Sequence, residues 1–454
     1  MRIFFGITGQ LGYGGLIQQS VALVKYLREF GCEVLPLVGF APPYNDEIDP
    51  EQLDYVFEGF NIAHSMLSEW PVLVRWPLAW YARRQVSKGG PEKLKAPNGR
   101  RIKIEIDPQK VLRNLIYHPD RRGLAKVNRI RREFAPDIDY ACELSMSGYF
   151  GELDDLGIPF VTAAQGYELC QRRGVDLISV IRANSDRIDA VISGSESNVR
   201  ENVECDLPFL AHKTHVIHYG IVDDEPYSMD MEEAKTRTWR LVGSGGCRPD
   251  EFVVTSLGRM DVEKGVDLVL HAIRILLNEG VRVRLRIVGD WPMNDYYYPV
   301  LQSKINMMDL RDHVDCIGFV PSKSDKVALL KTSGALLAAF IKSEPFGLVL
   351  CEGMGAGIPV IAPDTGAGQE ILRWNGYDCG LIYRTNDTGQ MADRIRYLVE
   401  HPGVGREMGR DGLRAVKEHF NARRMAKDTL DLFERLVEAR RHGHRSLHVI
   451  PVVR

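Results

Sequence analysis

The chain has 454 residues, with 58 lysines and arginines against 61 aspartates and glutamates and a net charge of −3; no basic excess is available to neutralise a phosphate backbone, which argues for no nucleic-acid partner held by bulk electrostatics. With 44% hydrophobic and 26% charged residues, it reads as a globular protein of about two or three domains rather than a disordered tail. None of the eight cysteines forms a Cys-x-x-Cys pair and no run of about 18 apolar residues occurs, so the expectation is a cytoplasmic protein with reduced thiols and no spanning helix.

The first forty residues read as strand, glycine-rich turn, helix, strand. Residues 2–8 are a short apolar run with a single Arg before it, not a signal peptide. Gly9, Gly12, Gly14 and Gly15 follow. Leu16–Phe30 carries Val21, Val24 and Leu27 at helical spacing, and Gly31 stands where a helix ends. Glu33–Gly39 is a second strand, so the unit predicts a parallel sheet with a right-handed crossover. The alternation then pauses over about 41–120, which reads as an insertion. Its segment 68–85 holds Trp70, Trp76 and Trp80 with Arg75, Arg83 and Arg84. Such residues suit an acceptor cleft or a core, and less well a peripheral membrane contact, since Pro71 and Pro77 interrupt a helix.

The alternation resumes with a helix bearing Lys126, Arg129, Arg131 and Arg132, then strands near Ile138–Leu144, Pro159–Ala164, Ala190–Ser193 and Val216–Ile217. Residues 223–250 are acidic and then rich in turn formers, and read as a linker. A second alternating half opens with 252–258 as a strand, Val266–Asn278 as a helix and 281–289 as a strand. The expected layout is an N-terminal domain at 1–222, a linker at 223–250, a C-terminal domain at 251–418, and an amphipathic helix and tail at 419–454. Both domains are expected to be α/β, doubly wound and Rossmann-like, facing across a cleft. In such sheets ligands sit beyond the carboxyl ends of the strands.

The most informative stretch is 340–370, FIKSEPFGLVLCEGMGAGIPVIAPDTGAGQE. Ala335–Phe340 predicts a strand, and Pro345 suits the start of a helix over Phe346–Gly355. The first N–H groups of such a helix are unpaired and attract an anion. Glu344 and Glu352 lie eight residues apart and bracket that end; one carboxylate can accept from sugar hydroxyls and the other from ribose hydroxyls. Gly258-Arg259-x4-Lys264-Gly265 supplies two cations for a diphosphate between them. No Asp-x-Asp stands near either motif, so this clamp is expected to take the place of a divalent metal.

These pieces, together with the glycine loop GQLGYGG, VIHYGIVD at 216–223, IVGD at 287–290 and GFVP at 318–321, resemble the family 4 glycosyltransferases of GT-B fold, in that family's order. The resemblance implies retaining, metal-independent transfer of a sugar from a nucleotide-diphospho-sugar, most commonly a UDP-sugar, to an acceptor hydroxyl. The donor is a co-substrate and no cofactor is implied. Acceptors of small-molecule, lipid or glycan type all fit. Glu344 would contact the donor sugar, Glu352 the ribose, and Arg259 and Lys264 the diphosphate. Gly258, Gly289, Phe346, Gly347 and Leu348 complete the donor side. Gly14 and Gly15 would bring the first domain to the phosphate and acceptor, and the last helix would return to the first domain.

Two places depart from the pattern. Tyr140-Ala141-Cys142 stands where members often carry His-x-His, and Gln165 stands where a His usually faces the sugar. Gln can hydrogen-bond a hydroxyl but takes up no proton. This departure leaves two further readings, a non-catalytic nucleotide- or glycan-binding protein and a sugar phosphorylase. Glu370 reads either as a carboxylate behind the sugar site or as one starting a helix. His218 and Tyr219 read as hinge packing, and His442, His444 and His448 as a frayed terminus.

Overall fold

The computed structural model describes residues 1–7, 15–38, 56–57, 94–95, 101–102, 121–165, 177–222, 224–243, 250–289 and 297–443. Gly14 and the rest of the glycine loop, the tryptophan-rich segment at 68–85, and His444 and His448 lie outside them.

The first sheet is built from β1 (Arg2–Ile7), β2 (Glu33–Val38), β3 (Val56–Phe57), β6 (Ile138–Ala141), β7 (Phe160–Ala164), β8 (Ala190–Ser193) and β9 (Thr214–Val216), in the order β3-β2-β1-β6-β7-β8-β9. Its strands pair in parallel throughout. A short antiparallel pair, β4 (Leu94–Lys95) and β5 (Arg101–Ile102), stands apart within the expected insertion. The strands are near-continuous apolar runs because helices cover the faces of a parallel sheet. Helix α1 (Gly15–Glu29) forms where Val21, Val24 and Leu27 predict it. Helix α2 (Arg121–Phe134) carries one of its basic residues inward. Arg131 is 1% exposed, its Nε and a terminal nitrogen both bonding the Asp139 carboxylate, with a third bond to the Asp154 carbonyl. Removing either charge would strand the other in the core, at a cost of about 3–5 kcal/mol.

The second sheet contains β10 (Phe252–Leu257), β11 (Val283–Val288), β12 (Val314–Gly318), β13 (Ala335–Leu337), β14 (Val360–Pro363) and β15 (Gly380–Tyr383), in the order β12-β11-β10-β13-β14-β15 and parallel throughout. Around it lie α3 (Met231–Val242), α4 (Val266–Asn278), α5 (Lys323–Lys331), α6 (Leu348–Gly355) and α7 (Thr388–Glu400). Val266, Val269, Leu270, Ile273 and Leu276 recur at helical spacing and bury one face of α4. Helix α3 falls inside the segment read as a linker. It packs on α5 through Arg237 to Asp325 at 3.0 Å and Thr238 to Thr332 at 3.0 Å, so these residues join the second layer.

Helix α8 (Ala422–Arg441) runs back to the first domain as expected. Phe433 packs on Tyr140 with ring centroids 5.5 Å apart, and Arg423 and Arg440 pair with Glu29 and Asp189. The chain therefore crosses between domains twice, at 217–222 and 419–421. The crossings are tied by the Ile221 N–H to the Phe420 carbonyl at 3.0 Å and the Ala422 N–H to the Ile221 carbonyl at 2.8 Å. No helix among the described residues is long and apolar enough to cross a membrane.

Among the boundaries that differ from the sequence expectation, three lie near the cleft. The strand read over Ile138–Leu144 stops at Ala141, and Leu144–Met146 forms a 3-10 turn. The strand read over Ala335–Phe340 stops at Leu337. The helix read from Phe346 starts at Leu348, so Pro345 is not its first residue. Gly347 precedes it in the left-handed region at φ +82°, which ends the incoming loop and lets the chain turn into the helix.

Candidate active site

Both sheets change direction beside their first strand. In the second, the chain runs outward from β10 to β11 and β12, then returns to the other side of β10 as β13. The carboxyl ends of β10 and β13 therefore flank a crevice, the place where open α/β sheets receive ligands. Gly258 and Arg259 follow β10, and Glu344 lies in the loop after β13. The predicted cations and carboxylate thus converge because of strand order, although about eighty residues separate them in the chain.

Within the crevice, the Lys264 ammonium donates to Glu344 Oε2 at 2.6 Å and lies 4.6 Å from the Phe340 ring centroid. Both side chains of the ion pair are about one quarter exposed, at 25% and 27%. Arg259 is half exposed and its Nε donates to Asp261 Oδ2 at 2.6 Å. The Ile341 N–H donates to the Glu263 carbonyl at 3.1 Å, which joins the Glu344 loop to the turn bearing Lys264. The Gly258 N–H donates to Val288 and the Gly289 N–H to Gly318, at 3.0 and 2.8 Å, so the ends of β10, β11 and β12 are bonded side by side.

The helix starts at this crevice follow glycines. Helices α3, α5, α7 and α8 each have a side chain, Asp230, Ser322, Asp387 and Asn421, accepting from a first-turn N–H. Helices α4 and α6 are preceded instead by Gly265 and Gly347, both left-handed and without a side-chain cap. In α4 the Asp267 N–H is taken by Tyr297 Oη at 3.2 Å and the Leu268 N–H by the Gly265 carbonyl at 2.9 Å, so it is the start of α6, with its positive dipole end, that suits an anion. Leu348, half-buried, is the first residue of α6.

Glu352 sits on α6 and accepts from Lys326 of α5 at 2.7 Å, with side-chain exposures of 13% and 16%. Lys326 was not legible as a site residue. It lies 26 positions before Glu352, and its one signal is a lysine in the helix following GFVP. Phe346 is 3% exposed and its ring lies 5.3 Å from Tyr219 and 6.1 Å from Phe420 by centroid. Its side chain faces the domain boundary, leaving the backbone as its part in the crevice.

Glu370 lies in the first turn of a short helix, Gly368–Leu372, as one of its two readings has it, but its carboxylate reaches the other domain. Its carboxylate accepts from the N–H groups of Glu196 and Ser197, at 2.9 and 3.1 Å, and lies 2.6 Å from His218 Nε2. It thus meets the start of a short helix in the other domain. Burial pushes its pKa up, but hydrogen bonds from His218, Glu196 and Ser197 outweigh this and hold it below the usual carboxylate value. His218 Nδ1 lies 2.9 Å from His419 Nε2, which Trp374 stacks at 3.9 Å between centroids. Burial, with Arg424 and His218 nearby, pushes the pKa of His419 down to about 3. The hinge reading of His218 therefore holds, with a hydrogen-bonded chain in place of simple packing.

At the matching end of the first sheet lies a small cavity with an uncharged lining. Gly15 opens α1. Gln165 follows β7, and its amide nitrogen donates to Tyr219 Oη at 2.9 Å and the Cys142 carbonyl at 3.3 Å. Gln19, Tyr140, Cys142, Gln165, Tyr219 and Thr429 line a cavity of about 20 Å³, room for one water. Among the described residues no group of three or more His, Cys, Asp or Glu is placed to hold a metal ion.

Residues 239–414 match the family described as Glycosyl transferases group 1. N-acetyl-alpha-D-glucosaminyl L-malate synthase of Bacillus anthracis is 27% identical over 55% of this chain and 60% of its own length. D-rhamnosyltransferase WbpZ of Pseudomonas aeruginosa is 30% identical over 46% of this chain and 50% of its own. The match thus spans little more than half of these relatives. Among solved structures, HepE of Anabaena, in complex with UDP and glucose, superposes with a TM-score of 0.69 at 16% identity, over 95% of this chain and 99% of that one. The likeness shows the fold: two α/β domains in the GT-B arrangement.

Proposed function

We propose that this chain, whose residues 239–414 belong to the Glycosyl transferases group 1 family, is a retaining, metal-independent glycosyltransferase of family 4 type that moves a hexosyl group from a UDP-sugar to an acceptor hydroxyl. One observation carries the reading. Lys264, Arg259 and the glycine-preceded start of α6 converge at the β10/β13 crevice, beside Glu344. That is a diphosphate site with a sugar-binding carboxylate against it. HepE, the structural relative bound to UDP and glucose, makes a uridine nucleotide the first donor to test. Glycan, lipid and small-molecule acceptors all suit the reading.

The diphosphate takes Lys264 from Glu344, and Glu344 is then released to accept from a hydroxyl of the donor sugar. Glu352, held by Lys326, accepts from the ribose. The acceptor oxygen attacks the anomeric carbon from the face the diphosphate leaves. As the carbon–oxygen bond to the diphosphate breaks, its oxygen gains charge and takes the acceptor's proton. Lys264, Arg259 and the N–H groups opening α6 stabilise that charge more in the transition state than in the bound donor, which is what accelerates the step. Bond formation on the leaving face retains the anomeric configuration without the carboxylate pair about 5 Å apart that retaining glycosidases use.

The test is a thermal-shift screen with UDP, GDP, ADP, TDP and inorganic phosphate. A nucleotide at 100 times its Kd adds about 2.7 kcal/mol, a rise of a few degrees in Tm. UDP is expected to give that rise and to lose it in Lys264→Ala. A rise with phosphate alone, or with none of the nucleotides, overturns the reading. Product NMR then reads the anomeric configuration, and turnover unchanged by EDTA supports transfer without a metal.

A further inference from the structure

The residues that hold Glu344 in place do not all come from its own domain. Its carbonyl accepts from the Ala367 N–H at 3.1 Å, which ties the site loop to the segment 366–370. The next residue, Pro345, accepts at its carbonyl from Ser195 Oγ at 2.5 Å, and Ser195 belongs to the first domain. At the far end of the same segment, Glu370 takes the N–H groups of Glu196 and Ser197 and the ring of His218. Ser195 also caps this short helix, accepting from the Asn198 N–H at 2.9 Å. One turn of the first domain, residues 195–197, thus grips the Glu344 loop from both sides.

The grip is buttressed from behind. His419 bonds His218, Trp374 stacks on His419, and Arg424 donates to the carbonyls of His218 and His419 at 2.5 and 2.7 Å. The Glu370 carboxylate accepts from His218 Nε2–H, and His218 Nδ1 and His419 Nε2 are hydrogen-bonded to each other, with the tautomer setting which one donates. Separating the domains exposes a carboxylate, two N–H groups and a hydroxyl together, so the contact opens or closes as a unit.

We infer that Glu370, His218 and Ser195 are positioning residues for transfer: they form a clasp by which the first domain sets the Glu344 loop. The clasp fixes how Glu344 meets the sugar, while Lys264 and Arg259 are carried by the turn after β10, outside the clasp. It therefore governs turnover, and nucleotide binding does not depend on it. The inference rests on the reading of Glu344 as the donor-sugar contact.

The full-length protein is assayed as Glu370→Gln, Glu370→Ala and Ser195→Ala, with UDP-glucose as donor, UDP for calorimetric Kd, and scattering in saturating UDP. The expected result is a fall in kcat of at least tenfold for both Glu370 variants and of a few fold for Ser195→Ala. The Kd for UDP should stay within twofold of the parent, and the radius of gyration of Glu370→Ala should rise. Unchanged kcat with a lowered Tm makes the contact a structural joint only and overturns the inference. A Kd that weakens in step with kcat also overturns it, because the effect would then lie at the nucleotide. Should a Glu370 variant fail to fold, Ser195→Ala, which removes one hydroxyl, carries the same test. Failure of the underlying reading shows separately, as parental turnover in Glu344→Ala.

Discussion

At the carboxyl end of the second sheet, Arg259, Lys264, Glu344 and the glycine-preceded start of α6 meet in one crevice. At the carboxyl end of the first, Tyr140, Cys142, Gln165 and Tyr219 surround a small cavity with no formal charge. The same strand arrangement, a switch of direction beside the first strand, has been furnished in opposite ways. A diphosphate is one chemical object, so its half of a cleft can be specified by a few charges and backbone dipoles. Acceptors differ in shape and polarity, and neutral hydrogen-bonding groups on a rigid floor leave selection to the loops above it. On the proposed function, the contrast assigns chemistry to the second domain and choice of acceptor to the first.

The sharpest way to break that contrast is to remove one polar side chain from each side. Lys264→Ala is expected to lower kcat/KM by about 10²–10³-fold, the size seen when one preorganised donor to a developing oxyanion is lost. Gln165→Ala should cost about tenfold or less, since a neutral hydrogen bond contributes about 0.5–1.5 kcal/mol. Steady-state kinetics on variants with parental circular dichroism decides it. A larger loss at Gln165 than at Lys264 would move the chemistry into the first domain.

A smaller effect separates the two carboxylates of the second domain. Glu352→Gln keeps the shape and one acceptor but loses charge, and should raise the donor KM about tenfold with little change in kcat. Lys326→Met leaves Glu352 without its partner at 2.7 Å and should act in the same direction, more weakly. Both should lose preference for a ribose over a 2′-deoxyribose donor. An equal fall in kcat for Glu352→Gln would assign that carboxylate to the reacting sugar instead.

The contrast also explains what was legible. The charged crevice was readable because phosphate chemistry needs particular residue types at short spacings: Arg259 and Lys264 are five apart, Glu344 and Glu352 eight. The Val266–Asn278 helix was readable in full because its apolar period is local. Glu370 was not, because its partners lie more than 150 positions away, and neither its glycine-rich context nor its helix predicts a bond to another domain. Ser195 escaped in the same way, its partner Pro345 lying 150 positions away, and Lys326 because its partner Glu352 lies on a different helix, 26 positions on. The start of α6 was misplaced by two residues because Pro345 suits a first helical position, while the pull of Phe346 into the boundary cluster and the left-handed Gly347 are tertiary facts.

The smallest effect expected lies between the two crevices. His419 is held neutral in the folded protein, its pKa pushed down from 6.5 to about 3. Unfolding returns it to water and to its ordinary value. Between those limits the unfolded chain binds one more proton at this position than the folded chain, so stability falls as the pH drops below about 6.5, by at most about 1.4 kcal/mol per pH unit from this group. Glu370 adds acid sensitivity of the same sign. Its folded pKa is depressed, so its contribution is complete above the ordinary carboxylate value and is lost as the pH falls through the folded one. The His419 contribution therefore starts first on acidification, and the two can be told apart. Urea unfolding at pH 7.5 and 5.5 should show a smaller loss of stability in His419→Gln, whose amide still donates to His218, than in the parent protein. An identical loss in both would mean that the His419 ring takes up its proton without opening the boundary. The coupling of domain closure to this buried imidazole would then fail, while the charged crevice, which shares no residue with the His218–His419 pair, would stand unaffected.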